Sequence, residues 1–161
     1  MLVYLATIKP MGQNILVRLY RWLYQIVLPA SLLRLDPDPA PGEGVSRYLL
    51  QSGHYAASTG QVKPRAFHPA ARDYKTSVFR VQGLIEHQIW SLGDKYVAQP
   101  QGKQLRAYAE LSVALIIGVG LRIEPKEPPP RHANIINWPR EKDKMMSRAQ
   151  ELAAEAILRL R

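Results

Sequence analysis

The chain has 161 residues, 47% of them hydrophobic and 22% charged, which is enough for one domain with a buried core plus an extension and too few for two large domains. Its 22 basic and 13 acidic residues give a net charge of +9, and a surplus of this size favours binding to polyanions. Since the chain has no cysteine, disulfides, thiolate metal sites and cysteine nucleophiles are excluded.

Residues 14–28 predict an N-terminal helix that is apolar around most of its circumference. As a helix, the apolar run 15–28 would be roughly 21 Å long, short of the ~30 Å hydrocarbon core of a bilayer, so we expect no transmembrane span. The start of the chain also lacks the basic residues of a signal peptide, and we expect a cytoplasmic protein. We expect this helix, which lies within an extension 1–35, to dock onto a partner protein or onto its own domain. Its strongly polar side chains share one narrow stripe: Asn14, Arg18, Arg21 and Gln25.

A segment rich in proline and glycine, residues 36–44, predicts a linker between the extension and the domain. Neither a helix nor a central strand can run through its three prolines and two glycines. Residues 1–41 carry a net charge of +2, which leaves +7 of the total +9 for residues 42–161. The basic character therefore belongs to the domain, which we expect to span residues 45–161.

The sequence of the domain predicts an α+β fold. We expect a small single domain with a short mixed sheet packed by two or three helices. β-Branched and aromatic residues or short apolar runs predict strands at 45–50, 76–81, 121–124 and 132–138. Helical periodicity predicts helices at 84–92, at 107–117 and from 140 to the C-terminus. Gly93 is expected to stop the first of these helices. For residues 113–119 a strand remains an alternative, because a short apolar run has no decisive period.

A loop at residues 63–75 combines cations with aromatic rings and lies partly between prolines that limit its backbone freedom. This pattern is typical of surfaces on which bases stack while cations meet phosphate. The alternative is an inert surface loop that Phe67 anchors. The predicted binding residues of the loop are Lys63, Arg65, Phe67, Arg72, Tyr74 and Lys75. Further cations lie on the terminal helix: Arg140, Lys142, Lys144 and Arg148.

Arg80 ends the predicted strand 76–81. Strand alternation places it on the same face as Val78. If Val78 faces the core, Arg80 is partly buried and requires a carboxylate or an anionic ligand. Glu86 and Glu110 are the nearby carboxylates in sequence, and a structural ion pair and an anion-binding role both remain open.

The segment 131–138 holds the densest set of chemical groups. Alternation puts His132 and Asn134 on one strand face, about 7 Å apart. There, His132 could act as a general acid or base and Asn134 could grip the same ligand, with Arg131 holding a phosphate or carboxylate. The alternative is that His132 and Asn134 only satisfy neighbouring backbone groups.

No sequence motif identifies a reaction. The patterns GxxxxGK[ST], GxGxxG, GxSxG and HExxH are absent, and the four histidines lack the helical spacing of a metal pair. We therefore expect no metal site and no cofactor. The favoured function is binding of a polyanion, in particular nucleic acid, either RNA or DNA. One alternative is an enzyme acting on an anionic small molecule or nucleotide with His132 as general acid or base, and another is an interaction module that docks through residues 14–28.

Overall fold

The structure, a computed structural model, describes Leu35–Arg161. The predicted N-terminal helix, and the docking expected of it, lie outside the described residues. None of the helices between residues 35 and 161 combines the length and the apolar character that crossing a bilayer requires.

Residues 35–161 form a six-stranded sheet, a separate two-stranded hairpin and three α-helices. The sheet consists of β1 (Gly44–Leu49), β4 (Thr76–Arg80), β5 (Ala107–Ser112), β6 (Arg122–Pro125), β7 (His132–Ile136) and β8 (Ile157–Leu160). The hairpin pairs β2 (Tyr55–Ala56) with β3 (Gln61–Val62). The helices are α1 (Glu86–Gly93), α2 (Val113–Gly118) and α3 (Lys142–Glu155).

The strands of the large sheet are ordered β6, β7, β4, β1, β5, β8, and each neighbouring pair is antiparallel. The α+β class is therefore confirmed. The predicted sheet was wrong in two respects, because the described sheet is antiparallel throughout instead of mixed, and it is larger than a short sheet. The four predicted strands agree with β1, β4, β6 and β7 to within two residues at each end.

Alternation along the strands gives the sheet two faces, and apolar side chains occupy both. On the first face, buried residues from four strands pack against α2 and α3: Val45, Val78, Ala109 and Ile135. On the second face, an aromatic group packs beneath α1: Tyr48, Phe79, Tyr108 and, from the helix, Trp90. The sheet is thus the central layer of the domain, with helices on each side.

Gly93 does not stop the first helix, contrary to the prediction. Its backbone is helical, with φ −67° and ψ −41°, and the chain continues into a π-helical turn at Asp94–Ala98. A Cβ atom at this position would lie 2.5 Å from Cδ1 of Tyr48 and 2.6 Å from Cδ2 of Leu105. Glycine is required here because the helix lies directly against the aromatic group of the second face.

The predicted helix 107–117 is wrong in its first half, which forms β5, whereas its second half forms α2. Both faces of β5 are buried, so its apolar residues follow one another without a strand period. The change from strand to helix occurs at Ser112, whose hydroxyl accepts a hydrogen bond from the Leu115 amide at 3.2 Å and so caps α2.

The predicted C-terminal helix is also too long. Helix α3 ends at Glu155, Ala156 is extended, and the last residues form β8 on the edge of the sheet beside β5. The apolar spacing of the segment suits a helix equally well. Pairing with β5 decides the outcome, because it satisfies backbone groups that an uncovered strand edge leaves open.

Candidate functional site

The loop 63–75 and the start of α3 form one basic surface. Helix α3 packs against the 3₁₀ turn Pro64–Ala66, and the Arg140 guanidinium lies 3.9 Å from the centre of the Tyr74 ring. Two cationic segments that are far apart in the sequence therefore become neighbours. We define the basic surface by its exposed cations: Lys63, Arg65, Arg72, Arg140, Lys142 and Lys144.

The aromatic residues of the loop are not placed for base stacking. Phe67 has no exposed surface and belongs to the core of the first face, so it anchors the loop, as the alternative interpretation expected. Tyr74 is partly buried against the same core, with Arg140 over its ring. Lys75 pairs with Glu124 at 2.6 Å. The prediction that Phe67 stacks on a base therefore needs correction, because its ring is fully enclosed.

Arg80 forms a buried ion pair with a carboxylate that sequence analysis did not consider. Its Nε and Nη2 donate to the two carboxylate oxygens of Glu43 at 2.5 and 2.7 Å, and the side chains are 4% and 5% exposed. Val78 is fully buried on the same face, so the reasoning from alternation was sound. The partner differs from Glu86 and Glu110 because Glu43 lies just before β1, in the segment predicted to be a linker.

Arg131 is buried as well. Its Nη1 donates to the carbonyl oxygens of Arg80 and Gln82 at 3.3 and 2.9 Å. Burial is the main cause that lowers the pKa of this guanidinium, and the Arg80 charge adds to it, whereas the carboxylates of Glu43 and Glu127 act in the opposite sense. Neither arginine is placed to hold an anionic substrate beside His132, so that part of the enzyme hypothesis does not fit the structure.

His132 instead contacts a serine. Its Nε2 lies 2.7 Å from Oγ of Ser77 on the neighbouring strand β4, and its Nδ1 lies 2.8 Å from the Lys126 carbonyl oxygen. Asn134 is opposite Ser77 in the register of β4 and β7. We call Ser77, His132 and Asn134 the polar cluster. Ser77 was missed because its link to His132 depends on strand pairing between residues 55 positions apart.

Two further histidines are His68, within the loop, and His54, whose backbone carbonyl accepts a hydrogen bond from the Lys63 amide at 2.9 Å. Nδ1 of His54 and Nε2 of His68 are shielded from solvent and have no hydrogen-bond partner among the described residues. Burial is the main cause that lowers the pKa of His54, followed by the charges of Arg47, Arg65 and His68. These three side chains are therefore close enough to His54 to influence it. Neither histidine was predicted to bind a ligand, since nothing in their spacing links them.

Arg47 is half-buried close to His54 and has no carboxylate partner among residues 35–161. Its Nε donates to the Ala66 carbonyl at 3.0 Å and its Nη1 to the Ser77 carbonyl at 2.8 Å. Burial lowers the pKa of its guanidinium to about 10. The loop therefore lies over a positive charge that is compensated by carbonyl dipoles alone, and this raises the electrostatic potential beneath Arg65.

The described surface has other clefts, and one of about 560 Å³ is lined by Lys103, Arg106 and Arg161, of which Arg161 pairs with Asp94 at 2.7 Å. A cleft of about 530 Å³ is lined by Glu110 and Glu155, together with Gln82 and Ser112, and by no lysine or arginine of the described chain. Between residues 35 and 161, no group of three or more histidine and carboxylate side chains is placed to hold a metal ion. The basic surface and the polar cluster contain the residues predicted from the sequence, and we take them as the candidate sites.

No protein-family model matches the sequence, and comparisons with curated proteins and with solved structures gave no match.

Proposed function

We propose that the domain binds a polyanion, with nucleic acid as the favoured ligand, at the basic surface. The observation that carries the proposal is the joining of two cationic segments, the loop 63–75 and the start of α3, by packing of α3 against the turn Pro64–Ala66 and by the stacking of Arg140 on Tyr74. Cations gathered on one surface can meet successive phosphates along a strand.

The loop supplies the strongest part of this surface. Lys63 and Arg65 are exposed and form no ion pair within the described part of the chain, and Arg72 meets Asp73 only at 3.7 Å, with its own side chain 92% exposed. Such cations cost little to bring into contact with phosphate because no existing partner has to be displaced. On α3, by contrast, Lys144 already pairs with Glu141 at 3.2 Å.

Charge, more than stacking, is the expected source of affinity. Phe67 is enclosed in the core and Tyr74 is covered by Arg140, so these two rings of the loop cannot stack on bases. Contacts with phosphate carry no sequence information by themselves. The proposed binding is therefore strongly dependent on salt and weakly dependent on base sequence.

The charges around His54 support the same proposal. Burial is the main cause that lowers the pKa of His54, and the charges of Arg47 and Arg65 lower it further. A phosphate close to the loop would be attracted by the same two charges.

A titration with single-stranded RNA and duplex DNA at several salt concentrations tests the proposal. The variant Lys63→Gln/Arg65→Gln/Arg72→Gln should lower the affinity at least tenfold, and for duplex DNA it should reduce the slope of log K against log salt by about 2–3, near 0.9 per lost phosphate contact. The matched control neutralises three exposed cations outside this surface, Lys103, Arg106 and Lys126.

The control variant should change the affinity and the slope far less than the loop variant. Equal effects of the two variants would show that binding follows net charge alone and would remove the proposed surface. No measurable binding of either nucleic acid at low salt would remove the function itself.

A further inference from the structure

The polar cluster is held in a defined geometry on the second face of the sheet. The ring of His132 lies 5.3 Å from the Phe79 ring, at an interplanar angle of 68°. Its backbone carbonyl accepts a hydrogen bond from the Lys126 amide at 2.9 Å, while its Nδ1 lies 2.8 Å from the Lys126 carbonyl. These contacts hold the imidazole on two sides, so that Nε2 faces Oγ of Ser77 at 2.7 Å.

These contacts also determine which imidazole nitrogen carries the proton. A backbone carbonyl can only accept a hydrogen bond, so Nδ1 of His132 must donate to Lys126. In the neutral ring, Nε2 is then the unprotonated nitrogen, and it accepts the hydrogen bond from the Ser77 hydroxyl. This is the arrangement of an activated nucleophile, with a base in contact with the hydroxyl and a third group that orients the base.

Asn134 adds a donor at the right place. It is opposite Ser77 in the register of the two strands, and side chains at such positions have Cβ atoms about 4.5–5.5 Å apart. Its amide has no hydrogen-bond partner among residues 35–161, and the residue is 8% exposed. A side-chain amide next to a nucleophile can donate to an oxyanion.

We propose that the polar cluster is a catalytic site that hydrolyses carboxylic esters. Oγ of Ser77 attacks the ester carbonyl carbon while its proton passes to Nε2 of His132, and the resulting oxyanion accepts a hydrogen bond from Asn134. Collapse of this intermediate breaks the bond to the alcohol oxygen, which takes the proton from Nε2. Water, deprotonated by His132, then attacks the acyl-serine and releases the carboxylic acid and free Ser77.

The surroundings favour a small, uncharged acyl group. Ser77 and His132 are both partly exposed. Next to Asn134, the charges of Lys75 and Glu124 neutralise each other at 2.6 Å. Ile136 follows Asn134 on the same strand face and is partly exposed, so it offers apolar contact to a short aliphatic chain.

Covalent labelling with a fluorophosphonate tests the site directly, because the serine oxygen bonds to phosphorus as fluoride leaves. Intact-mass measurement should show one label on the wild-type chain and none on Ser77→Ala. His132→Gln should label at least about 100-fold more slowly, which is the usual size of a general-base contribution. Asn134→Ala should slow hydrolysis of p-nitrophenyl butyrate by about 100-fold. Ser91→Ala is the matched control, since Ser91 is exposed and its hydroxyl donates to the His87 backbone carbonyl on α1.

A second variant exploits the absence of cysteine from the chain. Ser77→Cys creates a unique thiol, and iodoacetamide should alkylate it at neutral pH at least tenfold faster than the thiol of Ser91→Cys. His132→Gln should remove this difference. Circular dichroism of each variant establishes that it is folded.

An unlabelled wild-type chain after hours in excess fluorophosphonate would overturn the proposal. So would labelling that persists in Ser77→Ala, or equal thiol reactivity at positions 77 and 91. The nucleic-acid titration depends on other residues, so failure of either proposal leaves the other standing.

Discussion

Replacing Gly93 with alanine is expected to destabilise the domain, although alanine is the better helix former. In a helix, alanine is favoured over glycine by about 1 kcal/mol. Against this gain, the new Cβ atom would lie 2.5 Å from both Cδ1 and Cε1 of Tyr48 and 2.6 Å from Cδ2 of Leu105. Carbon atoms in van der Waals contact are about 3.5–4.0 Å apart, so the ring of Tyr48 would have to move by about 1 Å.

That movement is costly because Tyr48 is held on several sides. Its hydroxyl donates to the Ile89 carbonyl at 2.7 Å, and its ring centre lies 5.4 Å from that of Phe79 and 6.2 Å from that of Tyr108. Overpacking costs about 1–3 kcal/mol, and a weakened buried hydrogen bond adds about 1–3 kcal/mol. After subtraction of the propensity gain, the free energy of unfolding should fall by about 1–5 kcal/mol.

Urea unfolding followed by circular dichroism measures this effect. Gly118→Ala is the matched control, because Gly118 is also helical and a Cβ atom there meets no atom within 4 Å, so its unfolding midpoint should stay the same or rise slightly. In a Tyr48→Ala background the part of the penalty that is due to Tyr48 should disappear, and only the contact with Leu105 at 2.6 Å should remain. A Gly93→Ala variant as stable as the wild type, or more stable, would refute the argument from close packing.

Two further variants test the buried charges. Glu43→Gln leaves the Arg80 guanidinium buried without its carboxylate, and the free energy of unfolding should fall by about 3–5 kcal/mol. Adding Arg80→Met should recover part of that loss, and an unchanged urea midpoint in the single variant would show that the ion pair is not needed. Because burial lowers the pKa of His54 in the folded state, the unfolded chain takes up the proton first. Well above the ordinary pKa of 6.5, the imidazole is neutral in both states and its protonation does not affect stability. The free energy of unfolding then declines as the pH falls through 6.5, because only the unfolded chain gains the proton. His54→Gln should reduce the fall in melting temperature between pH 7 and pH 5, and an identical pH profile in the variant would contradict this assignment.

Sequence reasoning succeeded where the signal was local. The β-branched and aromatic residues of 76–80 predicted β4, and alternation correctly placed Arg80 on the buried face with Val78. The same alternation placed His132 and Asn134 together on one face, and the register of β7 with β4 agrees with it. These inferences needed only the period of a strand.

It failed where the outcome depended on pairing between distant segments. The periodicity of residues 157–160 fits the helix as well as the strand, and only the edge of β5 decides between them. Glu43 could not be identified as the partner of Arg80 without the pairing of β1 with β4. Ser77 was missed for the same reason, because its contact with His132 joins two strands whose pairing no local signal predicts.

The position of β1 in the sheet also affects how the domain folds. β1 is the first strand of the sheet in the chain, yet it pairs with β4 and β5, with Val45 opposite Arg80 on one side and Leu111 on the other. Its partners are therefore distant in sequence, and loop closure must precede the gain from pairing, which predicts folding on a timescale of about milliseconds to seconds. Until Ala107–Ser112 pairs with it, β1 has an unpaired edge and apolar residues on both faces, so this strand is open to association with other unfolded chains.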